Sequence, residues 1–448
     1  MLTLDAKPIE VPMYKPFANV DSTFRLLEPV QRAPSVFNTQ PWWFRILADD
    51  RMDVCARVGE GSAYRHLREH GLKLTDGDRQ LYSIDPGSRE LIMSCGAALC
   101  NLRLAVRAAG HDLTIHLLPY PQDRSVLATV EIVTGHIHPP GDVLQELYDA
   151  IPRRHTDRWP YGGTGHGLVK GDPVPPSILA AMELAAAKYG SRLRLLSRPE
   201  VRRWLREAES ADTRLRADAQ YASELSRWTH EGDRDTGLPA AAFGPACASH
   251  GGWHQAGSPV RNFHLGTPAA GSAGPEQNES SESAPEPSRH HGRRFERLPQ
   301  LMLLSTRRDQ PLDWLRAGQA LQYALLTATR YGVSASFLTQ PFELRDHDVQ
   351  PRLGVKARPD QVPAPPEFAA VSSRASAASH DDSRVLSPHR DPGPRHQPAT
   401  FSDYPQMITR VGYATHEAVN TPREDPDVLD CRCDPPRWLV RGTGTDPG

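Results

Sequence analysis

The chain lacks the features that would place it in a membrane or in the secretory pathway. Hydrophobic residues make up only 38% of its 448 positions. No window approaches the uninterrupted apolar run of roughly 20 residues that spans a bilayer. The stretch from Met1 to Phe17 carries charges throughout and has no apolar signal-peptide core. We therefore expect a cytoplasmic protein with no membrane partner.

Cysteine content and net charge are also low. Six cysteines in a chain of this size show no disulfide framework, and 52 basic against 54 acidic residues give a net charge of −2. A nearly neutral chain offers no general surface for nucleic acid. Cys247, His250 and His254 are spaced as metal ligands can be, but they lack a fourth ligand in place. A metal-binding protein is therefore an unfavoured alternative.

Two small-residue helices carry glycines at matching positions. The helices cover residues 90–109 and 315–331, and strand-like runs follow each of them at 113–118 and 333–338. Gly96 and Gly110 in the first correspond to Gly318 and Gly332 in the second, 14 residues apart in both. We interpret the pattern as an internal duplication, in which the inner glycines allow close helix approach and the outer ones are left-handed caps.

The duplication divides the chain into residues 18–150 and a longer second copy, residues 151–440. The remaining predicted elements are helices at 21–31, 177–189 and 199–230 and strands at 43–48, 52–58, 126–133, 193–197, 300–305 and 404–413. Segments 199–295 and 363–400 interrupt the second copy. Residues 267–294 within the first of these segments are of low complexity, rich in Gly, Pro, Ser and Glu, and predict disorder, and residues 363–400 are a second polar stretch.

A basic turn begins the second copy. Its functional groups are Arg153, Arg154, His155, Thr156 and Arg158. Guanidinium groups and a hydroxyl can converge on phosphate oxygens with charge-assisted hydrogen bonds. A solvated basic turn is the alternative, and the cluster alone would favour it.

A short polar segment framed by prolines lies in the first copy. Its side chains are Pro34, Ser35, Asn38, Gln40 and Pro41, followed by Trp42. The amides suit the donor and acceptor edge of a planar ligand. They could equally cap nearby backbone groups in a polar loop. We expect Trp42 to lie in the core rather than to stack on a ligand.

In this order, the motifs resemble the flavin-dependent nitroreductases, and within them the long duplicated branch called the Acg family. The matching stretches are Arg154-His155-Thr156-x-Arg158, Ala33-Pro34-Ser35-x-x-Asn38-x-Gln40-Pro41-Trp42, Asp313 to Gly318, and Pro405 to Tyr413. The resemblance as a whole covers most of residues 20–440 apart from the polar insertions. Thr156 stands where the family usually has serine.

The resemblance implies an α+β fold in which two nitroreductase-like halves form an intrachain pseudo-dimer. In ordinary family members FMN lies between two subunits, one with the Arg-His-Ser residues and the other with the Pro-Ser-x-x-Asn-x-Gln stretch. Here each copy keeps only one of these motifs. One composite flavin pocket within a monomer is therefore implied, with its mirror-related pocket empty. A homodimer is compatible with this arrangement but is not required.

The resemblance assigns cofactor contacts and no catalytic side chain. The phosphate and ribityl end of FMN would contact Arg154, His155, Thr156 and Arg158. The isoalloxazine ring or ribityl chain would contact Pro34, Ser35, Asn38 and Gln40. Arg410 is a weaker candidate for a cation near the flavin, with a surface ion pair as an equal alternative.

The function implied is an FMN-dependent NAD(P)H oxidoreductase. It would pass hydride through the flavin to a nitroaromatic, a quinone or a similar small-molecule acceptor. The alternative is a flavin-binding or flavin-sequestering protein of the Acg type without turnover, in which residues 199–295 cover the pocket. Oxidation of NAD(P)H by the FMN-loaded protein separates the two.

Overall fold

A computed structural model shows an α+β protein. It describes residues 16–58, 79–133, 140–161, 173–230, 234–239, 242, 298–352, 403–415, 419 and 421–431. The predicted polar segments 267–294 and 363–400, and the metal candidates Cys247, His250 and His254, lie outside these residues. Within the described ranges, no group of three or more His, Cys, Asp or Glu side chains could hold a metal ion.

The helices of the described residues follow the predicted pattern closely. They are α1 (Val20–Gln31), α2 (Arg89–Ala108), α3 (Asp142–Ala150), α4 (Pro176–Ala187), α5 (Arg198–Ala217), α6 (Ala219–Arg227), α7 (Pro311–Arg330) and α8 (Gln340–Arg352). Local capping sets several of their ends. Asn19, for example, accepts the Ser22 N–H at 2.9 Å and begins α1.

The first sheet has five strands in the order β11-β1-β2-β4-β3. Its members are β1 (Trp42–Ala48), β2 (Arg51–Ala56), β3 (Asp112–Leu117), β4 (Val126–Val133) and β11 (Val428–Asp430). All neighbours are antiparallel except β11, which pairs parallel with β1. Parallel neighbours require a crossover. A segment far along the chain therefore crosses the molecule to complete the first sheet.

The second sheet is antiparallel, with the order β5-β8-β10-β9. Its strands are β5 (Arg192–Leu195), β8 (Gln300–Thr306), β9 (Ser334–Leu338) and β10 (Tyr404–Gly412). Two short strands, β6 (Thr229–His230) and β7 (Leu238–Pro239), form a separate parallel pair.

Helices α2 and α7 cross at the centre of the molecule, where their glycines meet. An added Cβ would lie 2.3 Å from the Leu315 carbonyl oxygen at Gly96, and 1.9 Å from the Met93 carbonyl oxygen at Gly318. No real side chain fits at those distances, so the predicted close approach is confirmed. By length and composition α2 could also cross a membrane, but 83% of its most apolar window is buried inside the protein.

The structure departs from the sequence prediction in one long helix and in several elements that were not predicted, which include β6 and β7. Residues 199–230 form two helices rather than one, because Asp218 has extended backbone (φ −82°, ψ 120°). Its carboxylate accepts the N–H groups of Gln220 at 2.8 Å and Tyr221 at 3.0 Å, and so caps the second helix. Neither α8 nor β11 was predicted, so the strand at 404–412 is not the last in the chain.

Candidate functional site

The loop between α1 and β1 has a backbone that few residues adopt. Phe37, Asn38 and Gln40 have φ values of 45°, 56° and 48°, in the left-handed region that side chains disfavour. Ser35 holds the loop, because its hydroxyl oxygen accepts the Gln40 N–H at 3.0 Å and its carbonyl accepts the Asn38 N–H at 3.1 Å. Strain retained by surrounding contacts indicates a functional loop. Next to it, Trp42 is 1% exposed, so its predicted place in the core is confirmed.

The two amide side chains of this loop bind other parts of the chain. Asn38 Nδ2 donates to the Gly237 carbonyl at 3.1 Å, and Gln40 Nε2 donates to the Asp235 carbonyl at 2.7 Å. Gln40 Oε1 accepts the Glu424 N–H at 3.0 Å. Both amides are buried. The structure thus shows the backbone-binding role that the sequence left open beside the ligand-binding one.

The basic turn after α3 contains a buried arginine. Arg154 is 6% exposed, and its guanidinium donates at 3.3 Å to the carbonyl of Arg32, just before the Pro34–Gln40 loop. The Nε of Arg154 has no hydrogen-bond partner among the described residues, and burial lowers the pKa of this guanidinium to about 10. A buried cation without a carboxylate is costly, so the site favours an anion.

Arg423 lies beside Arg154, although the sequence analysis did not single it out. It donates to Asn38 Oδ1. Burial, and then the nearby charges of Arg154 and Arg32, lower the pKa of Arg423 to about 9. No carboxylate pairs with Arg423 in the part of the chain that the structure describes. In the sequence Arg423 precedes Glu424, which suggests a local ion pair. For this reason the sequence does not point to Arg423 as part of an anion site.

His155 and Thr156 follow the buried arginine and fix the turn. Burial lowers the pKa of His155, and the charges of Arg154 and Arg423 add to the shift, which favours the neutral imidazole. Thr156 forms a parallel bridge with Ala335 on β9. The turn is therefore tied to the second sheet, and Arg154 reaches from it to the residues just before the Pro34–Gln40 loop.

Arg158 and Arg410 bind backbone carbonyls. Arg158 Nη1 donates to the Ala242 carbonyl at 3.5 Å, and burial lowers the pKa of Arg158 to about 10. Arg410 is fully buried on β10, donates to the Asp157 carbonyl at 3.5 Å and lies 3.9 Å from the Tyr161 ring centroid. The alternative prediction of a surface ion pair for Arg410 is wrong, because the side chain is fully buried in the core. Arg410 stabilises the turn that carries the basic cluster.

A segment that follows α5 in the chain lies over the amide loop. We call residues 219–230 and 234–239 the cover segment. Tyr221 and Trp228 of this segment pack in one cluster with Val36 and Phe37 of the loop. The two carbonyls that bind the loop amides belong to the same segment.

Two buried carboxyl groups fasten the cover segment. The Glu224 carboxylate accepts the backbone N–H groups of residues 82–84, each at 2.8 Å. The Tyr221 hydroxyl donates to Glu343 on α8 at 2.6 Å. Burial raises the pKa of Glu343 to about 7. Burial also raises the pKa of Glu224, so the attachment of the cover segment depends on two carboxyl groups with raised pKa values.

Comparison with known proteins decides the family. No family model matches the chain. Over 328 residues it is 30% identical to "Putative NAD(P)H nitroreductase Rv3131" of Mycobacterium tuberculosis (strain ATCC 25618 / H37Rv), covering 73% of this chain and 79% of that protein. The chain belongs to the nitroreductase family. The resemblance found in its motifs is thereby confirmed.

Two further relatives of this nitroreductase-family chain come from the same strain. "Putative NAD(P)H nitroreductase acg" is 27% identical over 316 residues, which cover 70% of this chain and 78% of that protein. "Uncharacterized protein Rv3127" is also 27% identical over 316 residues, covering 70% of this chain and 77% of that protein.

The site of this nitroreductase-family chain is suited to binding an anion rather than to nucleophilic attack. Cys55, Cys95 and Cys100 are buried, and burial raises the pKa of each thiol. A protonated, enclosed thiol is a poor nucleophile. The guanidinium groups of the buried Arg154 and the half-buried Arg423, in contrast, present charged donors at the edge of a strained loop.

Proposed function

We propose that the chain is an FMN-dependent NAD(P)H oxidoreductase that passes hydride to a small acceptor such as a nitroaromatic or a quinone. The two arginines without a carboxylate partner among the described residues, the buried Arg154 and the half-buried Arg423, carry the proposal. A phosphate dianion would offset both charges and accept their hydrogen bonds. The names of two relatives, which specify NAD(P)H, support the reductant.

The residues present fit the phosphate end of FMN. Arg154 Nε and Thr39 Oγ1 are buried atoms without a hydrogen-bond partner among the described residues. The phosphate and ribityl end would contact Arg154, His155, Thr156, Arg158 and Arg423, and the ring side would contact Pro34, Ser35, Asn38 and Gln40. FMN supplies the hydride chemistry when bound. The chain would bind and orient it and exclude water.

The topology of the two large sheets supports a duplicated chain. Without β11, the strands of each sheet lie in the same order, in which the fourth strand along the chain lies between the second and the third. In each sheet a 20-residue helix connects the second strand to the third along the chain. We propose residues 18–150 and 151–440 as two halves of an intrachain pseudo-dimer. The amide loop belongs to the first half, and the two arginines belong to the second. One chain would then complete one FMN site as a monomer, and a homodimer stays compatible with this.

The turn of the second half that corresponds to the Pro34–Gln40 loop supports a single flavin site. Between α1 and β1 the chain has the long, strained loop that contains Asn38 and Gln40. Between α4 and β5 it has only residues 188–191, with Gly190 at φ 73°. So short a turn has no room for an amide motif. We therefore expect one flavin per chain.

One observation favours a second function, flavin binding without turnover. The cover segment packs on the amide loop and accepts hydrogen bonds from both of its amides. In that position it would shield the ring side of the site from NAD(P)H and from an acceptor. The protein would then hold flavin in a form that a reductant does not reach.

The deciding experiment titrates purified protein with FMN and follows flavin fluorescence. Arg154→Met is compared with Arg153→Met, because Arg153 is exposed on the same turn. Anaerobic NADH or NADPH is then added to the loaded protein, and the loss of oxidised flavin absorbance is recorded. Binding with bleaching supports the reductase, and binding without bleaching supports the second function. No binding by the unaltered protein would overturn both.

A further inference from the structure

A short segment near the C-terminus carries Arg423 to the anion site. We call residues 421–431 the C-terminal arm. It extends along the first sheet, where β11 pairs with β1, and the Cys431 N–H donates to the Ile46 carbonyl at 3.0 Å. Arg423 belongs to the second half in sequence and reaches the Pro34–Gln40 loop only while this arm is docked.

Two buried arginines fasten the arm. Arg57 Nη1 lies 3.2 Å from Glu424 Oε2, and its other terminal nitrogen binds the Asp427 carboxylate. Arg79 binds the second oxygen of Glu424. The side chains of Arg57 and Arg79 are only 2% and 3% exposed. Because buried charges need their partners, this network strongly favours one position of the arm.

Neighbouring residues of the arm contact different groups. The Glu424 carboxylate binds the arginine pair, while its N–H donates to Gln40 Oε1 at 3.0 Å. Arg423 donates instead to Asn38 Oδ1, and the Pro422 carbonyl accepts Asn38 Nδ2 at 3.0 Å. Glu424, which the arginine pair binds, is therefore adjacent in the chain to Arg423, which lies at the anion site.

We propose that Arg57 and Arg79 are positioning residues that set the anion affinity of the site by holding Arg423 through Glu424. The inference rests on the proposed FMN function and deepens it. Arg423 lies near Arg154 and Arg32, and like charges oppose its docking. The ion pairs of Glu424 with Arg57 and Arg79 hold Arg423 in this position. Anion binding and docking of the arm then stabilise each other, because two events that share a state are linked reciprocally.

The test uses the full chain and measures the Kd for FMN by fluorescence and for inorganic phosphate by competition. Glu424→Gln removes the charge that holds the arm but keeps the N–H bonded to Gln40. Asp425→Asn is the matched control, because Asp425 is exposed in the same segment. Arg423→Met and the double variant of Arg423 and Glu424 complete a cycle. Glu424→Asp is the conservative variant.

Glu424→Gln should raise the Kd for FMN and phosphate about tenfold, whereas Asp425→Asn should change it less than about twofold. Glu424→Asp should recover part of the loss. The double variant should bind no more weakly than Arg423→Met alone, because Glu424 acts through Arg423. A purely stabilising role would instead lower the Tm and leave the Kd of the folded protein unchanged.

Two results would overturn the inference while the proposed function stands. One is wild-type binding with an unchanged Kd in Glu424→Gln, and the other is additive losses in the double variant. A wild-type protein that binds neither FMN nor phosphate would overturn the proposed function, and the inference with it. Circular dichroism of each variant identifies loss of fold, and Asp427→Asn then replaces Glu424→Gln in the comparison.

Discussion

At the scale of single residues, the proposed anion site depends on Arg154 and Arg423, two cations that pair with no carboxylate among the described residues. Arg154 follows a recognisable basic motif and stands out in the sequence. Arg423 does not, because two acidic residues, Glu424 and Asp425, follow it in the chain, and only the fold directs Glu424 elsewhere. The roles of Asn38 and Gln40 stay open from sequence alone, since an amide binds a backbone carbonyl and a ligand with the same atoms.

Replacing Arg154 by methionine should separate stability from binding. Without ligand, removal of a buried, unpaired cation should leave stability unchanged or raise it by about 1 kcal/mol or more. The Kd for FMN should rise by about tenfold or more, because charge-assisted hydrogen bonds are lost. Thermal unfolding with and without FMN measures both effects. A lower Tm of the ligand-free variant, relative to Arg153→Met, would show that Arg154 is a structural residue.

At the scale of elements, the central helices were predictable and the helix break before the cover segment was not. Glycine spacing and apolar pattern predicted α2 and α7 together with their close contact. Residues 199–230 are helical by composition throughout, so the break at Asp218 depends on its local cap together with the tertiary contacts of Tyr221 and Glu224. Propensity alone does not distinguish one long helix from two packed ones.

Gly318→Ala should destabilise the protein by about 3 kcal/mol or more, since its Cβ would overlap the Met93 carbonyl and push α2 and α7 apart. Gly87→Ala is the control, because nothing lies within 4 Å of a Cβ there. Chemical denaturation of both variants gives the difference in unfolding free energy. Equal values for the two would contradict the helix contact.

Docking of the cover segment should weaken as pH rises. The pKa of Glu343 is raised in the folded state from 4.5 to about 7, chiefly by burial. The folded state therefore holds this proton more tightly, and stability falls between pH 4.5 and 7 as the carboxyl ionises beside Asp212 and Glu90. Hydrogen exchange of residues 219–227, corrected for intrinsic rates, should be faster at pH 8 than at pH 5.5.

Glu343→Gln tests the source of that pH dependence. The amide still accepts the Tyr221 hydroxyl but does not ionise, so exchange in α6 should become nearly independent of pH over this range. Retention of the full pH dependence in this variant would assign the effect to another buried carboxyl group, such as Glu224, whose pKa burial also raises.

At the scale of the whole molecule, the α+β class followed from the family resemblance, and most strands of the two large sheets followed from alternating segments in the sequence. Strand β11 did not, because three residues contain too little pattern to predict a partner that begins at Trp42. The arm is nevertheless what carries Arg423 to the Pro34–Gln40 loop. Local sequence therefore singled out Arg154 and the Pro34–Gln40 loop, but not the segment that brings Arg423 beside them.

A single chain should bind one FMN and run as a monomer. The loop and the basic turn come from the two proposed halves of one polypeptide, and the mirror position has only a short turn. Light scattering coupled to size exclusion, together with flavin absorbance per chain, measures both quantities. Two flavins per chain would refute the single-site arrangement.

The parallel pairing of β11 with β1 also governs how the protein is made. On the ribosome, strands β1 to β4 emerge long before β11, so the outer edge of β1 stays unpaired until residues 428–430 have been translated. Synthesis stalled just before residue 421 should therefore yield a nascent chain that binds holdase chaperones and aggregates on release.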